Sequence, residues 1–272
     1  LIKIGIIIDK YHLENKAQHF LEYLRTRAKV SLYVEEDYVV DYSKDKFDED
    51  LFFIKAKGDL VLNLGKKIYK DTNIPIINSP GAIWLSYNRF LNSVYLQKAG
   101  IKVPRFAIIP RGYIPPFENF IIKNVQDQQN YVFDPLINES GMKKTIADKR
   151  ALNEVYGTSK KYNFFYYQEF IDSEWEYKVY TIGNDTYFYK QVPVLVNPNK
   201  MKSRVKIEPI EELREKAFVA ARAIGLKISS MDFLQSKNGE FYLSDINSSP
   251  NFNYIQDGPN LVANFLIKEA RC

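Results

Sequence analysis

The sequence predicts an α/β layer that gives way to α+β lobes, and three observations carry that prediction. Residues 2–8, apolar but for Lys3, read as a wholly buried strand, and residues 15–27 place Ala17, Phe20, Leu21 and Leu24 along one side, so a buried strand feeds an amphipathic helix. This is how a parallel α/β layer opens. From Arg105 the texture turns to strands, many of them aromatic. Two hairpin signals follow, one at Gly183, Asn184 and Asp185 and one at Lys237, Asn238 and Gly239.

Taken in order, residues 30–34 supply a second strand, residues 60–64 another, and residues 74–77 a short one that stops at the turn signal Asn78-Ser79-Pro80-Gly81. Residues 83–99 have helical periodicity, and Gly100 is a suitable terminator. These elements make a first Rossmann-like domain, residues 1–104, of ordinary domain size. Residues 119–123 (NFIIK) are an apolar strand ending in lysine. A polar stretch, VQDQQN at 125–130, and a short strand, YVF, come next. Residues 163–170 form an aromatic strand and residues 176–196 a hairpin; ordinary sheet packing accounts for their aromatics. The helix over 209–224 has an acidic first turn at Glu211 and Glu212, an apolar face of Leu213, Ala217, Ala220 and Ile224, and Gly225 as its stop. A last hairpin carries Asp232 on one strand and Asp245 and Asn247 on the other, and residues 259–270 close the chain as a helix. The boundaries expected are 1–104 for the first domain, 105–180 for a small lobe and 181–272 for a C-terminal core lobe. No internal repeat or low-complexity tract is present.

Composition narrows the chemistry. The chain has 272 residues with one cysteine, Cys272, and two histidines, His12 and His19. An internal disulfide, a cysteine metal site, a histidine triad and a three-histidine zinc site are excluded. The formal charge of +5 comes from 38 basic and 33 acidic residues, a surplus too even for a nucleic-acid platform. The one dense basic stretch, residues 200–206, reads as a solvated loop. The opening apolar run ends at Asp9 and no later segment offers eighteen uncharged apolar residues, so the expectation is a cytoplasmic protein without a membrane span.

Asp232, Asp245 and Asn247 are the strongest chemical signal. Antiparallel neighbours on a hairpin lie within about 5 Å, and positions 245 and 247 share a face. Two carboxylates and an amide among apolar residues repel and desolvate unless a cation sits among them, and hard oxygen donors suit Mg²⁺ with its phosphate ligands. Solvated carboxylates on a surface hairpin are the plainer alternative, and spacing alone does not separate the two.

A resemblance adds to this. The pattern A-x-x-x-G-L-x-x-x-x-x-D-F-L at 221–234, then DINSSP at 245–250, then a terminal helix, resembles the C-terminal core of the ATP-grasp superfamily, in particular its RimK-like glutamate-ligase branch. Upstream, NSPGAIWLSYNRFLNSVYLQKAGIKVPRFAII resembles the family's entry into the nucleotide-binding lobe, FIIK its ATP-contacting lysine strand, and YYQEFIDSEWEYKVYTIG its adenine hinge and ribose-binding acid. The resemblance covers residues 70–272 and implies two α+β lobes that clamp ATP behind a pre-ATP-grasp α/β domain.

By position it implies that Asp232, Asp245 and Asn247 hold Mg²⁺ and that Lys123 neutralises α- or β-phosphate oxygens. Glu169 and Ile171 would meet the adenine edge, with Phe170 and Phe233 as apolar walls, and Glu176 would accept from the ribose hydroxyls. Arg89 stands where the family places a second ATP-contacting lysine, and a planar fork there changes the geometry. Lys178, Lys190 and Arg204 would face the transferred phosphate or the acceptor; local salt bridges are the rival role for each. The implied activity is a ligase that joins a small-molecule or peptide carboxylate to an amine through an acyl phosphate, with ATP and Mg²⁺, leaving oligomeric state open.

Besides Arg89, the chain departs from the pattern in three places. Asp245 stands where glutamate is commoner and where related inositol-polyphosphate kinases have aspartate, which makes a kinase of a polyol-type hydroxyl the alternative. Asn251 replaces the glycine after the proline, as a residue that tolerates left-handed geometry. The segment 125–130 lacks the family's lid glycine, which leaves Gly141, Lys143 and Lys144 to contribute or favours a nucleotide-binding protein with weak turnover.

Overall fold

The computed structural model describes residues 1–41, 43, 46–110, 113, 116, 117, 119–123, 125, 164–193 and 200–271. Most of the 125–130 stretch, the YVF strand, Gly141, Lys143, Lys144 and Cys272 lie outside the described residues.

The first layer is a parallel sheet of β1 (Lys3–Ile8), β2 (Lys29–Val34), β3 (Leu51–Lys55) and β4 (Ile76–Ile77), in the order β2-β1-β3-β4. Residues 4–8 of β1 and 51–54 of β3 read as apolar runs because both faces of these strands are covered. The helical stretch expected at 15–27 is two helices, α1 (Lys10–Asn15) and α2 (Gln18–Arg25). The first begins early because the Asp9 carboxylate caps it, accepting from the His12 N–H at 2.7 Å.

The strand expected at 60–64 is helical instead. It lies inside α3 (Asp59–Asp71), where Val61, Leu64, Gly65 and Ile68 follow the i, i+3, i+4, i+7 spacing of a buried helix face. The strand of this region is β3, a few residues upstream. The helix expected at 83–99 is likewise two, α4 (Pro80–Tyr87) and α5 (Arg89–Lys98), parted at Asn88, whose backbone is extended and whose Oδ1 accepts from the Leu91 N–H at 3.1 Å. Gly100 follows α5 at a φ of 81°, the left-handed stop that was expected.

The second layer is a three-stranded antiparallel sheet, β5 (Phe106–Pro110), β6 (Phe120–Lys123) and β7 (Phe164–Glu169), with β7 central. The third is a five-stranded antiparallel sheet of β8 (Glu176–Ile182), β9 (Asp185–Gln191), β10 (Val205–Lys206), β11 (Ile228–Gln235) and β12 (Phe241–Asn247), in the order β10-β9-β8-β11-β12. The boundary read at residue 180 falls inside β8, which belongs wholly to this sheet. The basic stretch at 200–206 is a 3₁₀ turn followed by β10, paired with β9.

Helix α6 (Glu211–Ile224) packs Leu213, Ala217, Ala220 and Ile224 against Val179, Phe188, Met231, Phe233 and Leu243 of this sheet and ends at Gly225, φ 86°. On the other face, Tyr180, Ile182 and Ile228 join Val262, Ala263 and Leu266 of α7 (Gly258–Glu269) and Ile4, Ile6 and Ile8 of β1 in one core. Full burial of each such aliphatic side chain is worth about 1.5–3 kcal/mol, so α7 binds the first and third layers to each other. Asn251 is not left-handed: it is extended, with its Oδ1 capping the short turn that follows, and the positive φ in this region belongs to Asp257. Among the described residues no helix is long and apolar enough to cross a membrane.

Candidate active site

The three-stranded and five-stranded sheets meet at a cavity of about 190 Å³. Its apolar lining comes from Ile121 on β6, Phe170 and Ile171 just beyond β7, and Leu234 on β11. Charged groups reach it from Arg89 at the start of α5, Lys123 at the end of β6, Glu176 at the start of β8, and Asp232 and Asp245 on β11 and β12.

The two aspartates are register partners across β11 and β12. Immediately beyond them the register shifts, because Phe233 pairs with Leu243 and Ser244 is an extra residue on β12. This bulge turns the Ser244 carbonyl toward β6 and β7. Gln168 Nε2 donates to it at 3.1 Å, and Lys123 Nζ lies 3.5 Å from it while donating to Gln168 Oε1 at 2.8 Å. Lys123 is thereby held near the carboxylates, with Gln168 and the Ser244 carbonyl among its partners. Behind it, Tyr166 shares a hydrogen bond of 2.9 Å with Ser93, and burial pushes the Tyr166 phenol up to about 12, so it stays a neutral hydroxyl.

Lys178 faces Asp232 across β8 and β11 and forms an ion pair with it. Burial works against this ammonium, but Asp232, Tyr180 and Glu176 outweigh the loss of solvent and hold its pKa above the ordinary lysine range. Glu176, 6% exposed, accepts from Gln191 Nε2, and Gln191 Oε1 in turn accepts from Arg204 Nε at 2.7 Å. Arg204 also stacks over the Tyr254 ring at 4.6 Å, and Lys190 sits 4.5 Å over Trp175. Asn247 lies two residues beyond Asp245, and its Oδ1 accepts from the Ser249 N–H at 2.9 Å.

The structure thus gathers Arg89, Lys123, Phe170, Ile171, Glu176, Asp232 and Asp245 on one wall system. Lys178 and Arg204 reach it through Asp232 and through Gln191 and Glu176, whereas Lys190, Asn247 and Glu169 lie off the cavity wall. The Glu169 carboxylate accepts from the Arg105 N–H at 3.2 Å. Phe233 is fully buried in the core beneath α6, because strand alternation gives the cavity face to Asp232 and Leu234. Sequence reasoning missed Gln168, Leu234 and Ser244. Gln168 carried a signal, a glutamine within an aromatic strand, while the role of Ser244 depends on a register shift that no pattern announces.

Among the described residues no three His, Cys, Asp or Glu side chains are grouped so as to hold a metal ion by themselves. Two facing aspartates with an amide nearby suit Mg²⁺, which takes one or two carboxylates and completes its shell with water and phosphate oxygens.

No protein-family model matches the chain. A RiPP-associated ATP-grasp ligase from Chryseobacterium gregarium, solved with ADP and a leader and core peptide, superposes at a TM-score of 0.71 with 14% identity over 99% of this chain and 97% of that one. The chain has the ATP-grasp fold. D-alanine–D-alanine ligase from Bacillus anthracis, solved with ATP, superposes on it at a TM-score of 0.71 and 11% identity, over 100% of this chain and 98% of that one. An ATP-grasp RimK domain protein from Sphaerobacter thermophilus does so at 0.70 and 12%, over 97% and 99%. In sequence, the chain is 27% identical over 244 residues to tetrahydromethanopterin:alpha-L-glutamate ligase of Methanocaldococcus jannaschii, covering 79% of this chain and 77% of that protein. The ATP-grasp resemblance read from residues 70–272 is borne out, and the structural likeness extends it over the first α/β layer.

Proposed function

We propose that the chain is an ATP- and Mg²⁺-dependent ligase that joins a carboxylate to an amine, with release of ADP and phosphate. The observation that carries this reading is the convergence of Lys123, Arg89 and the facing pair Asp232 and Asp245 on a cavity whose apolar lining includes Ile121, Phe170, Ile171 and Leu234. An apolar slot suits an adenine ring, and cations beside paired carboxylates suit a metal-bound polyphosphate. Three of the four relatives named above are themselves described as ligases.

In this reading Phe170, Ile171 and Leu234 enclose the base, Glu176 accepts from the ribose, and Lys123 and Arg89 hold phosphate oxygens. Asp232, Asp245 and Asn247 would hold Mg²⁺, which when bound offsets the charge that builds on the transferred phosphoryl group. Lys178, fixed by Asp232, stands ready at the edge of the same charge. The histidine count is consistent with this chemistry. An amine that arrives neutral attacks an acyl phosphate without a histidine base, and the described carboxylates and lysines supply the rest.

The test is product analysis with Mg-ATP and panels of acids and amines. ADP release that requires both an acid and an amine is the expected result, whereas ADP formed with a polyhydroxylated acceptor alone replaces the ligase with a kinase. Asp245→Asn is expected to abolish Mg²⁺-dependent turnover while the melting temperature stays near that of the parent; unchanged turnover would remove the metal assignment.

A further inference from the structure

The turn that follows the candidate metal residues is gripped from outside its own sheet. Asn78, 1% exposed, stands just beyond β4 and uses its whole side chain. Its Nδ2 donates to the carbonyls of Ile228 at 2.7 Å and Ser248 at 2.9 Å, and its Oδ1 accepts from the N–H groups of Lys227 at 2.8 Å and Ile228 at 3.0 Å. Lys55, the last residue of β3 and also 1% exposed, donates through Nζ to the Pro250 carbonyl and lies 4.2 Å over the Phe252 ring.

Strands β3 and β4 are neighbours, so the two side chains leave the carboxyl edge of the first sheet together. They take the carbonyls of residues 248 and 250, on either side of Ser249. The N–H of Ser249 is the group that donates to Asn247 Oδ1. The path from the first layer to the candidate ligand is therefore continuous: Lys55 and Asn78 to the turn backbone, the turn backbone to the Asn247 amide.

Lys55 is an expensive way to fill this space. A buried ammonium with one carbonyl acceptor and an aromatic face loses solvation that an aliphatic side chain of similar length never had. Burial, the first cause, with Lys57 and Lys16 adding to it and Asp9 opposing it, pushes its pKa down to about 7. What a lysine adds over methionine at this position is a directed donor to Pro250.

We infer that Lys55 and Asn78 are positioning residues, which fix the 247–250 turn against the first sheet and so set the Asn247 amide for the metal. The inference rests on the ATP and Mg²⁺ reading and goes beyond it, since it gives the first α/β layer a part in metal binding.

Three readouts on the full chain test it: melting temperature, ATP binding in EDTA, and the Mg²⁺ concentration for half-maximal ATP binding. Lys55→Met is expected to bind ATP in EDTA as the parent does and to need roughly tenfold more Mg²⁺, the usual loss when a group that orients a ligand is removed. Lys55→Gln, which restores a donor toward Pro250, is expected to recover part of that loss. Asn78→Ser, which releases the Ser248 carbonyl, is expected to move Mg²⁺ dependence in the same direction. An unaltered Mg²⁺ requirement in any one of the folded Lys55→Met or Asn78→Ser variants, measured beside an Asp245→Asn variant that does lose it, overturns the inference and leaves the ATP site standing. Absence of Mg²⁺-dependent ATP binding in the parent chain overturns the ATP-site reading and the inference with it.

Discussion

Lys55 and Lys178 are both shielded lysines, and their surroundings drive them in opposite directions. Lys178 has Asp232 within an ion pair and stays charged well beyond neutral pH, whereas Lys55 donates to a carbonyl and lies over a ring, and burial lowers its pKa to about 7. The difference sets a pH dependence of stability. In the unfolded chain Lys55 titrates near the ordinary value of 10.5, so between pH 7 and that value the unfolded state holds more protons than the folded one. The contribution of Lys55 to stability therefore rises with pH across this window and is flat below it, where both states are protonated. Urea midpoints of the parent and of Lys55→Met at about pH 7 and about pH 9 measure it: the parent should gain relative to the variant at the higher pH. A constant difference between the two would mean that Lys55 keeps its proton throughout.

At the scale of elements, α3 shows why a residue from another strand matters. Gly58 offers the helix no capping side chain, and the Glu35 carboxylate, at the end of β2, accepts from the N–H groups of Leu60 and Val61 instead. A Cβ on Gly58 would lie 1.9 Å from Glu35 Oε1, so Gly58→Ala displaces the carboxylate from the helix terminus. The expected cost is about 1 kcal/mol, that of a lost cap, read from chemical denaturation; Glu35→Gln in the same background should then add little. The same element explains a limit of sequence reading. LVLNL at 60–64 is short and apolar enough to suit a strand or a helix, and what decides it is the sheet face it meets and a cap supplied by Glu35 from 25 residues upstream of Leu60. By contrast the α6 stripe and its Gly225 stop were legible, because each signal lies within the helix itself. Asp232 and Asp245 were legible as a polar exception in apolar strands and Lys123 through the resemblance, while Leu234 takes the wall position expected of Phe233 because adjacent residues on a strand face opposite ways. Ser244 and Lys55 were not legible at all, since a bulge and a contact between residues 55 and 250 exist only after folding.

For the molecule as a whole, the domain boundary that sequence texture suggests near residue 104 is not a boundary of the core. One face of the first sheet, with Ile4, Ile6 and Ile8 beside Phe20, Leu21 and Leu24 of α2, is completed by Val262, Ala263, Leu266 and Ile267 from α7, at the other end of the chain. Tyr23 also donates to Asn264 Oδ1 at 3.2 Å. The two clasps at Asn78 and Lys55 bind the same layer to the turn after β12. Residues 1–104 by themselves would expose the apolar face that α7 covers, at roughly 1.5–3 kcal/mol for each large aliphatic side chain fully returned to water, a large share of the about 5–15 kcal/mol by which a domain is stable. Two consequences follow from this coupling. The isolated 1–104 fragment should show no cooperative unfolding transition by circular dichroism. In calorimetry of the full chain, the first layer should melt together with the five-stranded sheet, so that Leu266→Ala, expected to cost about 2–5 kcal/mol, lowers the temperature of the transition in which both are lost. A separate, earlier transition for the first layer that Leu266→Ala leaves in place would show that α7 does not join the two.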